Sequence, residues 1–285
     1  MNVMRFHWPR RLTGQKLPAF SLCMGILDGR TRIEVSAPVL NSPRLPAGMA
    51  GFRIALVTDL HFGRYGREPY ARRVFELVRG GKPDLVIFGG DVIDYSHDWA
   101  LRLAPLLSEL GRDLRCLAVV GNHEYYTGIH TMLELFRRCN IEVLLNRHVL
   151  VGRGGDIRQG GAGNPGGAIA IAGLDDLAQG RPDMRAALGG IDPQTFTIVV
   201  SHCPDLADSI APGQPADLVL AGHTHGGQIC LFGRALATET RNARYVRGRV
   251  AGPRCPVYIS RGLGLTGFPL RLGSDPELPI ITLER

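Results

Sequence analysis

The stretch Ala221-Gly222-His223-Thr224-His225-Gly226-Gly227-Gln228 places two histidines one residue apart between glycines. Side chains two positions apart in an extended backbone point to the same side, so these two imidazoles can converge on one site. Neutral imidazole is the commonest metal ligand in proteins, and the flanking glycines let the backbone turn tightly beside a ligand. Taken alone, the stretch is compatible with a metal site and with a structural histidine pair. The residues that follow other predicted strands distinguish the two.

Metal-binding types of side chain also follow other apolar runs. The run 216–221 is typical of a short buried strand, and similar runs cover 53–58, 84–88, 114–120 and 195–200. The polar residues at the ends of these five predicted strands are Asp59, His61, Asp91, Asn122, His123, His202, His223 and His225. Carboxylate, imidazole and amide groups together suit divalent manganese, iron or zinc. Eight such residues at five strand ends favour a metal site over ordinary turn capping.

The remaining patterns indicate how these strands are connected. Helical spacing is visible at 70–79, 99–111 and 129–139, and further strands are predicted at 31–35, 142–151 and 168–172. The glycine-rich segment 152–167 predicts a mobile hairpin loop rather than a phosphate-binding loop. Short buried strands that alternate with helices predict a layered α/β protein with functional groups on the loops after the strand ends.

Length and composition set limits on the organisation. A chain of 285 residues with 45% hydrophobic content can bury a large core, and we expect one domain over residues 31–285 after an N-terminal extension of residues 1–30. The net charge of +7 comes almost wholly from arginine, since Lys16 and Lys82 are the only lysines. This charge fits a solvated basic surface, and it also fits attraction to anionic substrates, lipid or nucleic acid.

Cysteines and the N-terminal residues bear on the compartment. The six cysteines form no Cys-x-x-Cys pair, which predicts reduced, buried thiols rather than a zinc knuckle or a disulfide frame. No apolar run is long enough to span a bilayer. Arg10 and Arg11 precede a short apolar stretch, which leaves a degenerate export signal open, while Trp8 and the nearby arginines are compatible with a peripheral membrane contact.

The ordered blocks Asp-x-His, Gly-Asp, Gly-Asn-His-Glu, His and Gly-His-x-His resemble those of the calcineurin-like metallophosphoesterases, a family of two-metal phosphate-ester hydrolases. The resemblance runs from about residue 32 to residue 283. It implies a four-layer α-β-β-α sandwich of two mixed sheets flanked by helices. It also implies that one ion is held by Asp59, His61, Asp91 and His225, and the other by Asp91, Asn122, His202 and His223.

The same resemblance assigns the chemistry. Asp91 would bridge two ions about 3.5–4 Å apart, and such a pair acidifies a bridging water to a hydroxide nucleophile. His123 matches the family histidine that stabilises charge and supplies a proton to the leaving group. Glu124 and Asp94 are expected to orient imidazoles from outside the metal site.

A finer similarity is to a bacterial membrane-associated branch with a Gly-His-Thr-His-Gly-Gly-Gln block and a C-terminal arginine-proline signature, which this chain matches at 258–264, 269–271 and 276–277. Some members of that branch hydrolyse the pyrophosphate of UDP-2,3-diacylglucosamine in lipid A synthesis, and others are general phosphodiesterases. The similarity therefore implies either activity, the former at the cytoplasmic face of the inner membrane. The arginines at 241–254 fit a solvated face or a clamp for a second phosphate or anionic lipid. Few aromatic residues accompany them, which disfavours a nucleic-acid channel.

Other functions remain open at this level. The alternatives are a phosphomonoesterase or protein phosphatase, a nuclease or cyclic-nucleotide esterase, and a scaffold without catalysis. The completeness of the ligand set argues against the scaffold. Metal identity, substrate and oligomeric state do not follow from the sequence, because ligands of this kind accept several metals and specificity resides in variable loops.

Overall fold

The computed structural model describes residues 22–25, 27–159 and 167–285. Its helices are α1 (Glu68–Gly80), α2 (His97–Asp113), α3 (Asn122–Thr127), α4 (Ile129–Arg138) and α5 (Met184–Leu188). Its strands are β1 (Leu22–Met24), β2 (Glu34–Ser36), β3 (Val39–Asn41), β4 (Phe52–Val57), β5 (Leu85–Gly89), β6 (Cys116–Val119), β7 (Ile141–Val143), β8 (Arg147–Val151), β9 (Ile157–Gln159), β10 (Ile169–Gly173), β11 (Thr197–Val200), β12 (Leu218–Ala221), β13 (Cys230–Leu231), β14 (Arg234–Ala235), β15 (Gly248–Ala251), β16 (Pro256–Ile259), β17 (Leu270–Leu272) and β18 (Glu277–Glu284). Short 3-10 turns span Ala47–Met49, Pro204–Ser209 and His225–Gly227.

Two seven-stranded mixed sheets form the centre of the fold. The first has the order β2-β18-β4-β5-β6-β7, with β3 also paired to β18, and β4 to β7 run parallel. The second has the order β15-β16-β12-β11-β10-β8-β9, with β10, β11, β12 and β16 parallel. The carboxyl ends of parallel strands meet at one edge of a sheet, so each sheet presents its following loops together.

Three apolar clusters produce a four-layer architecture. Leu56 and Ile87 of the first sheet pack against Ile171 and Leu220 of the second, and this cluster fills the space between the sheets. Helices α1, α2 and α4 cover the outer face of the first sheet. Helix α5 and the turn Pro204–Ser209 cover the outer face of the second. The predicted sandwich of two mixed sheets flanked by helices is therefore confirmed.

Local sequence explains how the outer helices begin and which face they bury. Helix α1 has a proline in its first turn, and α2 begins after Ser96, whose hydroxyl accepts a hydrogen bond from the Asp98 N–H. On α1 the side chains of Val74, Phe75 and Val78 recur at helical spacing and are fully or almost fully buried. Burying each such side chain contributes about 1.5–3 kcal/mol, so the amphipathic face holds the helix on the sheet.

One predicted strand is wrong. The run 142–151 is not a single strand, because β7 belongs to the first sheet and β8 to the second. Asn146, with φ of 53°, lies in the left-handed region between them. Asparagine tolerates that conformation, and it lets the chain cross from one sheet to the other.

The glycine-rich segment and the N-terminal extension lie partly outside the described residues. Strand β9, within that segment, pairs antiparallel with β8, and residues 160–166 are not among those described. Strand β1 pairs antiparallel with β17, and Leu27 is fully buried in the core. Residues 1–21, with Trp8 and the paired arginines, also lie outside the described part of the chain. In the part of the chain that is described, no helix has the length and apolar character needed to cross a membrane.

Candidate metal centre

The residues predicted to bind metal lie in the loops, or in the first residues of the helices and turns, that follow parallel strands of both sheets. Asp59 and His61 follow β4, and Asp91 follows β5. The remaining residues follow β6, β11 and β12; they are Asn122, His123, His202, His223 and His225. Backbone bonds join the loops, with the Asp59 N–H donating to the Gly90 carbonyl at 3.0 Å and the His61 N–H donating to the Asp91 carbonyl at 3.0 Å. The facing strand ends thus bring the predicted residues to one place.

Asp59, His61 and His225 form the first ligand group, whose side-chain nitrogen and oxygen atoms lie within 4.8 Å of one another. The Nε2 atoms of His61 and His225 are 3.1 Å apart, and His225 Nε2 is 3.6 Å from Asp59 Oδ1. Asp91 Oδ2 lies 3.6 Å from His61 Nε2. Imidazole nitrogens that face each other across a carboxylate form the donor set expected around a cation.

Asp91, His202 and His223 form the second ligand group. His202 Nε2 lies 3.2 Å from Asp91 Oδ2 and 3.1 Å from His223 Nδ1. The Nδ1 atom of His202 lies 2.9 Å from the Gly89 carbonyl, and an N–H there fixes the ring with Nε2 directed at Asp91. Asp91 Oδ2 therefore lies between the two groups, where a bridging carboxylate would stand.

Asn122 supplies a separate test of whether these residues fit a cation. Its Oδ1 atom is buried and has no hydrogen-bond partner among the described residues. Buried polar oxygens in folded proteins are almost always paired, because an unpaired one costs free energy. Its neighbour His123 donates its backbone N–H to Asp91 Oδ1 at 2.9 Å, which places Asn122 beside the shared carboxylate. An amide oxygen left without a protein partner there fits a metal ligand.

The backbone at the centre adopts an uncommon conformation. Five residues of the predicted ligand set have positive φ, namely Asp59 at 52°, His61 at 43°, Asp91 at 53°, His223 at 70° and His225 at 52°. Non-glycine residues adopt this region at a cost, and the surrounding structure must impose it. Such conformations concentrate at functional sites, where they aim side chains that ordinary turns would direct elsewhere.

Two glycines are required by close approach. A Cβ atom at Gly121 would collide with the Asp91 carboxylate and the His202 ring. A Cβ atom at Gly222 would collide with the Asp59 carboxylate. These positions explain why the sequence blocks begin with glycine.

Burial and charge set the protonation states in a way that suits a cation. Burial lowers the pKa of His61 to about 3, and burial together with the nearby His61 ring and Arg271 holds the pKa of His225 well below its usual value. Burial opposes ionisation of Asp91, but the surrounding imidazoles, His202 foremost, hold its pKa well below the usual range. The groups thus present imidazole lone pairs and an ionised carboxylate.

Two other residues shift toward their protonated forms. Burial raises the pKa of Asp59, although the charge of His202 opposes this shift. Burial opposes protonation of His202, but the charge of Asp91 raises the pKa of His202 well above its usual value. A bound cation would supply the positive charge that these protons supply, and ligand binding would release them.

Arg271 supports the first ligand group through a hydrogen bond to His225. It is almost fully buried, and it donates to His225 Nδ1 at 3.1 Å and to the carbonyls of Gly264 at 2.8 Å and Arg261 at 2.9 Å. The sequence indicated Arg271 only as part of the C-terminal signature. Its position between two leucines in a short strand was the available signal, because an arginine on a buried face must find acceptors.

Glu124 does not orient an imidazole, contrary to expectation. Its carboxylate accepts the backbone N–H groups of Asp91, Val92 and Gly121, each at 2.8 Å. Burial and then the charge of Asp91 raise its pKa to about 7. Glu124 therefore holds the loop that carries Asp91 against the start of α3, which carries Asn122.

Asp94 and His123 have the expected relation. Asp94 Oδ1 lies 3.5 Å from His123 Nδ1, and His123 Nε2 lies 4.0 Å from Asp91 Oδ2. Burial lowers the pKa of His123, but the nearby carboxylates of Asp94 and Asp91 outweigh burial and raise it. The ring therefore has Nδ1 beside the Asp94 carboxylate, within ion-pair distance, and Nε2 toward the cluster.

Part of the arginine cluster at 241–254 has protein partners. Arg244 pairs with Asp208 at 3.2 Å, and Arg247 donates to the carbonyls of Gly233 at 2.8 Å and Gly273 at 3.2 Å. These two side chains thus hold surface loops together.

Comparisons with known proteins identify relatives over most of the chain. The family model described as calcineurin-like phosphoesterase matches residues 52–227. The uncharacterized metallophosphoesterase YkuE of Bacillus subtilis is 32% identical over 260 residues, which cover 88% of this chain and 86% of the relative. An uncharacterized metallophosphoesterase of Aquifex aeolicus is 29% identical, with 88% and 92% covered. Among solved structures, the calcineurin-like phosphoesterase YfkN of Bacillus subtilis has a TM-score of 0.46 at 13% identity, with 80% and 91% covered.

Proposed function

This chain belongs to the calcineurin-like phosphoesterase family of dinuclear metal hydrolases, and on that premise we propose that it cleaves phosphodiester or pyrophosphate bonds at the cluster around Asp91. The proposal rests on the position of Asp91 Oδ2. This atom lies within 3.6 Å of His61 Nε2 and of His202 Nε2, which belong to different ligand groups. A carboxylate so placed can serve two cations at once.

The proposed ligands divide as the sequence predicts. Asp59, His61, Asp91 and His225 would hold one ion, and Asp91, Asn122, His202 and His223 would hold the other. When bound, two divalent ions supply charge to the phosphate oxygens and lower the pKa of water. We propose manganese as the working metal, with iron and zinc as the alternatives that this nitrogen and oxygen set also accepts.

His123 is the proposed proton donor to the leaving group. Asp94 holds its Nδ1 at 3.5 Å, so its Nε2 faces the cluster, 4.0 Å from Asp91 Oδ2. A substrate phosphate at the cluster would bring its ester oxygen to this nitrogen. Asp94 keeps the ring in that orientation.

The experiment compares bis-p-nitrophenyl phosphate with p-nitrophenyl phosphate, using manganese-loaded protein and the Asp91→Asn variant. We expect the diester to be preferred. We expect Asp91→Asn to lower its hydrolysis by more than the roughly 10–100-fold that loss of an outer hydrogen-bond partner costs, and to lower metal content. Unchanged rate and metal content in Asp91→Asn would refute the role of Asp91, and a monoester preference would favour the phosphomonoesterase alternative.

A narrower part of the proposal concerns a lipid-bearing substrate such as UDP-2,3-diacylglucosamine, taken from an anionic membrane face. Phe232, Leu236 and Phe268 are 86%, 62% and 64% exposed on loops that follow His225 in the chain. The Gln228 amide donates to the Phe268 carbonyl at 2.9 Å, which joins the segment before β13 to the loop that carries Phe268. Exposed apolar side chains that form a contiguous surface are typical of lipid or membrane contact, and we propose that these three form one.

This narrower proposal is tested by hydrolysis of UDP-2,3-diacylglucosamine against UDP-N-acetylglucosamine, and by co-sedimentation with phosphatidylglycerol vesicles. We expect hydrolysis of the acylated substrate alone. We also expect Phe232→Ser with Phe268→Ser to weaken vesicle binding. Equal rates on both nucleotides, or no sedimentation with vesicles, would remove the lipid part and leave the hydrolase.

A further inference from the structure

Two tyrosines beside the cluster expose much of their rings to solvent. Tyr95 is 59% exposed and Tyr126 is 46% exposed. Their rings stack with centroids 5.6 Å apart and planes inclined by 20°. Single exposed aromatic side chains are unremarkable, but two stacked rings form a continuous apolar surface.

This ring pair touches His123. The Tyr95 ring centroid lies 4.4 Å from that of His123, and the Tyr126 centroid lies 5.4 Å from it. His123 in turn reaches to 4.0 Å from Asp91 Oδ2. The three rings therefore lead from the ligand cluster outward to solvent, on the side of the proposed proton donor.

The loop that carries Tyr95 and the helix α3 that carries Tyr126 are fixed to each other. The Thr127 hydroxyl, at the end of α3, donates to the Asp94 carbonyl at 3.0 Å, which joins the Tyr126 segment to the Tyr95 segment. Tyr125 turns away and donates to Asp175 Oδ1 at 2.6 Å. The exposure of Tyr95 and Tyr126 thus occurs on anchored backbone, and the rings are held ready for a ligand.

We propose that Tyr95 and Tyr126 form a stacking surface for an aromatic group on the leaving side of the substrate, an aryl ester or a nucleobase. This inference rests on the proposed hydrolase function, because the leaving group must lie next to His123. A flat ring presented there gains offset stacking on the tyrosines that an aliphatic group of equal size does not gain. The pair would then determine specificity without taking part in bond cleavage.

The test measures binding rather than turnover. Phenylphosphonate and cyclohexylphosphonate carry the same charged group and differ in ring type, and each is titrated into manganese-loaded protein by calorimetry. We expect phenylphosphonate to bind about 3–10-fold more tightly. We expect the Tyr95→Ala/Tyr126→Ala variant to remove that preference, while the Tyr95→Phe/Tyr126→Phe variant keeps it.

Matched controls and a second ligand pair complete the design. Leu101→Ala, at a position 58% exposed on α2, should leave the preference unchanged. The affinities of adenosine 5′-monophosphate and ribose 5-phosphate are compared in the same way. If the surface binds a nucleobase, the nucleotide must bind more tightly than the sugar phosphate. Equal affinity for the two phosphonates, binding of neither, or a preference that survives the double alanine variant would overturn the inference.

Failure of the stacking surface and failure of the hydrolase give different results. Hydrolysis without a ring preference refutes only the stacking surface. Ring preference in a protein that hydrolyses no ester refutes the hydrolase and leaves an aromatic-phosphonate binding site. Metal content and the thermal midpoint of each variant show whether the metal centre and the fold are intact.

Discussion

The two ligand groups that share Asp91 differ in how far the protein encloses them. In the first group the side chains of Asp59 and His61 have no exposed surface, and Arg271 lies behind His225. In the second group the His223 side chain is 11% exposed, and it faces Glu239, which is 83% exposed, at 4.0 Å. His202 of the second group is also fully buried, so the first group is enclosed by the fold, whereas the second opens toward solvent at one ligand, His223.

We expect this difference in enclosure to set how fast each proposed ion exchanges with solvent. Water can replace a lost ligand only where it can reach, so the open group tolerates ligand loss better than the enclosed one. Substrate must reach the cluster from solvent, and Tyr95 and Tyr126 expose their rings beside His123, which packs against His61 at 4.4 Å between ring centroids. The enclosed ion would serve as part of the scaffold, while the open one exchanges with solvent.

The largest expected effect comes from two single variants. One removes His61 from the first ligand group, and the other removes His223 from the second. His61→Ala should lower hydrolysis by more than about 10²-fold, and added millimolar manganese should not restore it, because the ligand is lost from a site without solvent. His223→Ala should recover much of its activity under the same conditions. Exposed His130, on α4, provides the control as His130→Ala. Equal rescue of both site variants by manganese would contradict the difference in enclosure.

The second effect is on the stability of the protein, through the segments that carry ligands of both groups. Glu124→Gln replaces one of the carboxylate oxygens that accept the N–H groups of Asp91, Val92 and Gly121 with an amide donor. We expect the free energy of unfolding of metal-free protein to fall by about 2–3 kcal/mol, because buried N–H groups lose their acceptor. Urea denaturation measures the loss, with Glu76→Gln on the exposed face of α1 as the control. A change under about 0.5 kcal/mol, typical of surface substitutions, would show that the carboxylate is dispensable.

The enclosed group also shows which features the sequence could predict. Asp59 and Asp91 come within three residues of the ends of apolar runs, so their convergence followed from the strand pattern, and their role as ligands stays a prediction. Arg271 was not recognised, because its partner His225 lies 46 positions away and no local pattern joins them. The crossing at Asn146 was missed because apolar residues on both sides of it fit one strand equally well.

The tyrosine surface was missed for a related reason. Tyr95 lies on the loop after β5 and Tyr126 lies in the short helix α3 after β6, and neither has periodic neighbours. Sequence periodicity reports which face of an element is buried, and it carries no information on what adjacent loops expose. The layers and the ligand loops were therefore predictable, whereas the contacts that complete the centre required the fold.

A smaller effect concerns the order in which the ions leave. A chelator added to fully loaded protein should remove one ion per chain at least about 10-fold faster than the other, since only the group with His223 opens to solvent. Rapid mixing with a coloured chelator measures both phases. The fast phase should vanish in His223→Ala that was loaded with a single ion. Release of both ions in one phase would remove the distinction between the groups.

The smallest expected effect tests whether Glu239 orients His223 for metal binding or only lies near it in solvent. Glu239 Oε2 lies 4.0 Å from His223 Nε2, yet its side chain is 83% exposed, and exposed ion pairs contribute little because water screens them. Glu239→Gln should therefore change the affinity of the second ion by no more than about 2–3-fold. A carboxylate that oriented His223 for metal binding would instead cost roughly 10–100-fold on removal. Manganese titration of the singly loaded protein measures this affinity. A loss in the larger range would place Glu239 among the residues that build the second group and would make that group less open than its exposure indicates.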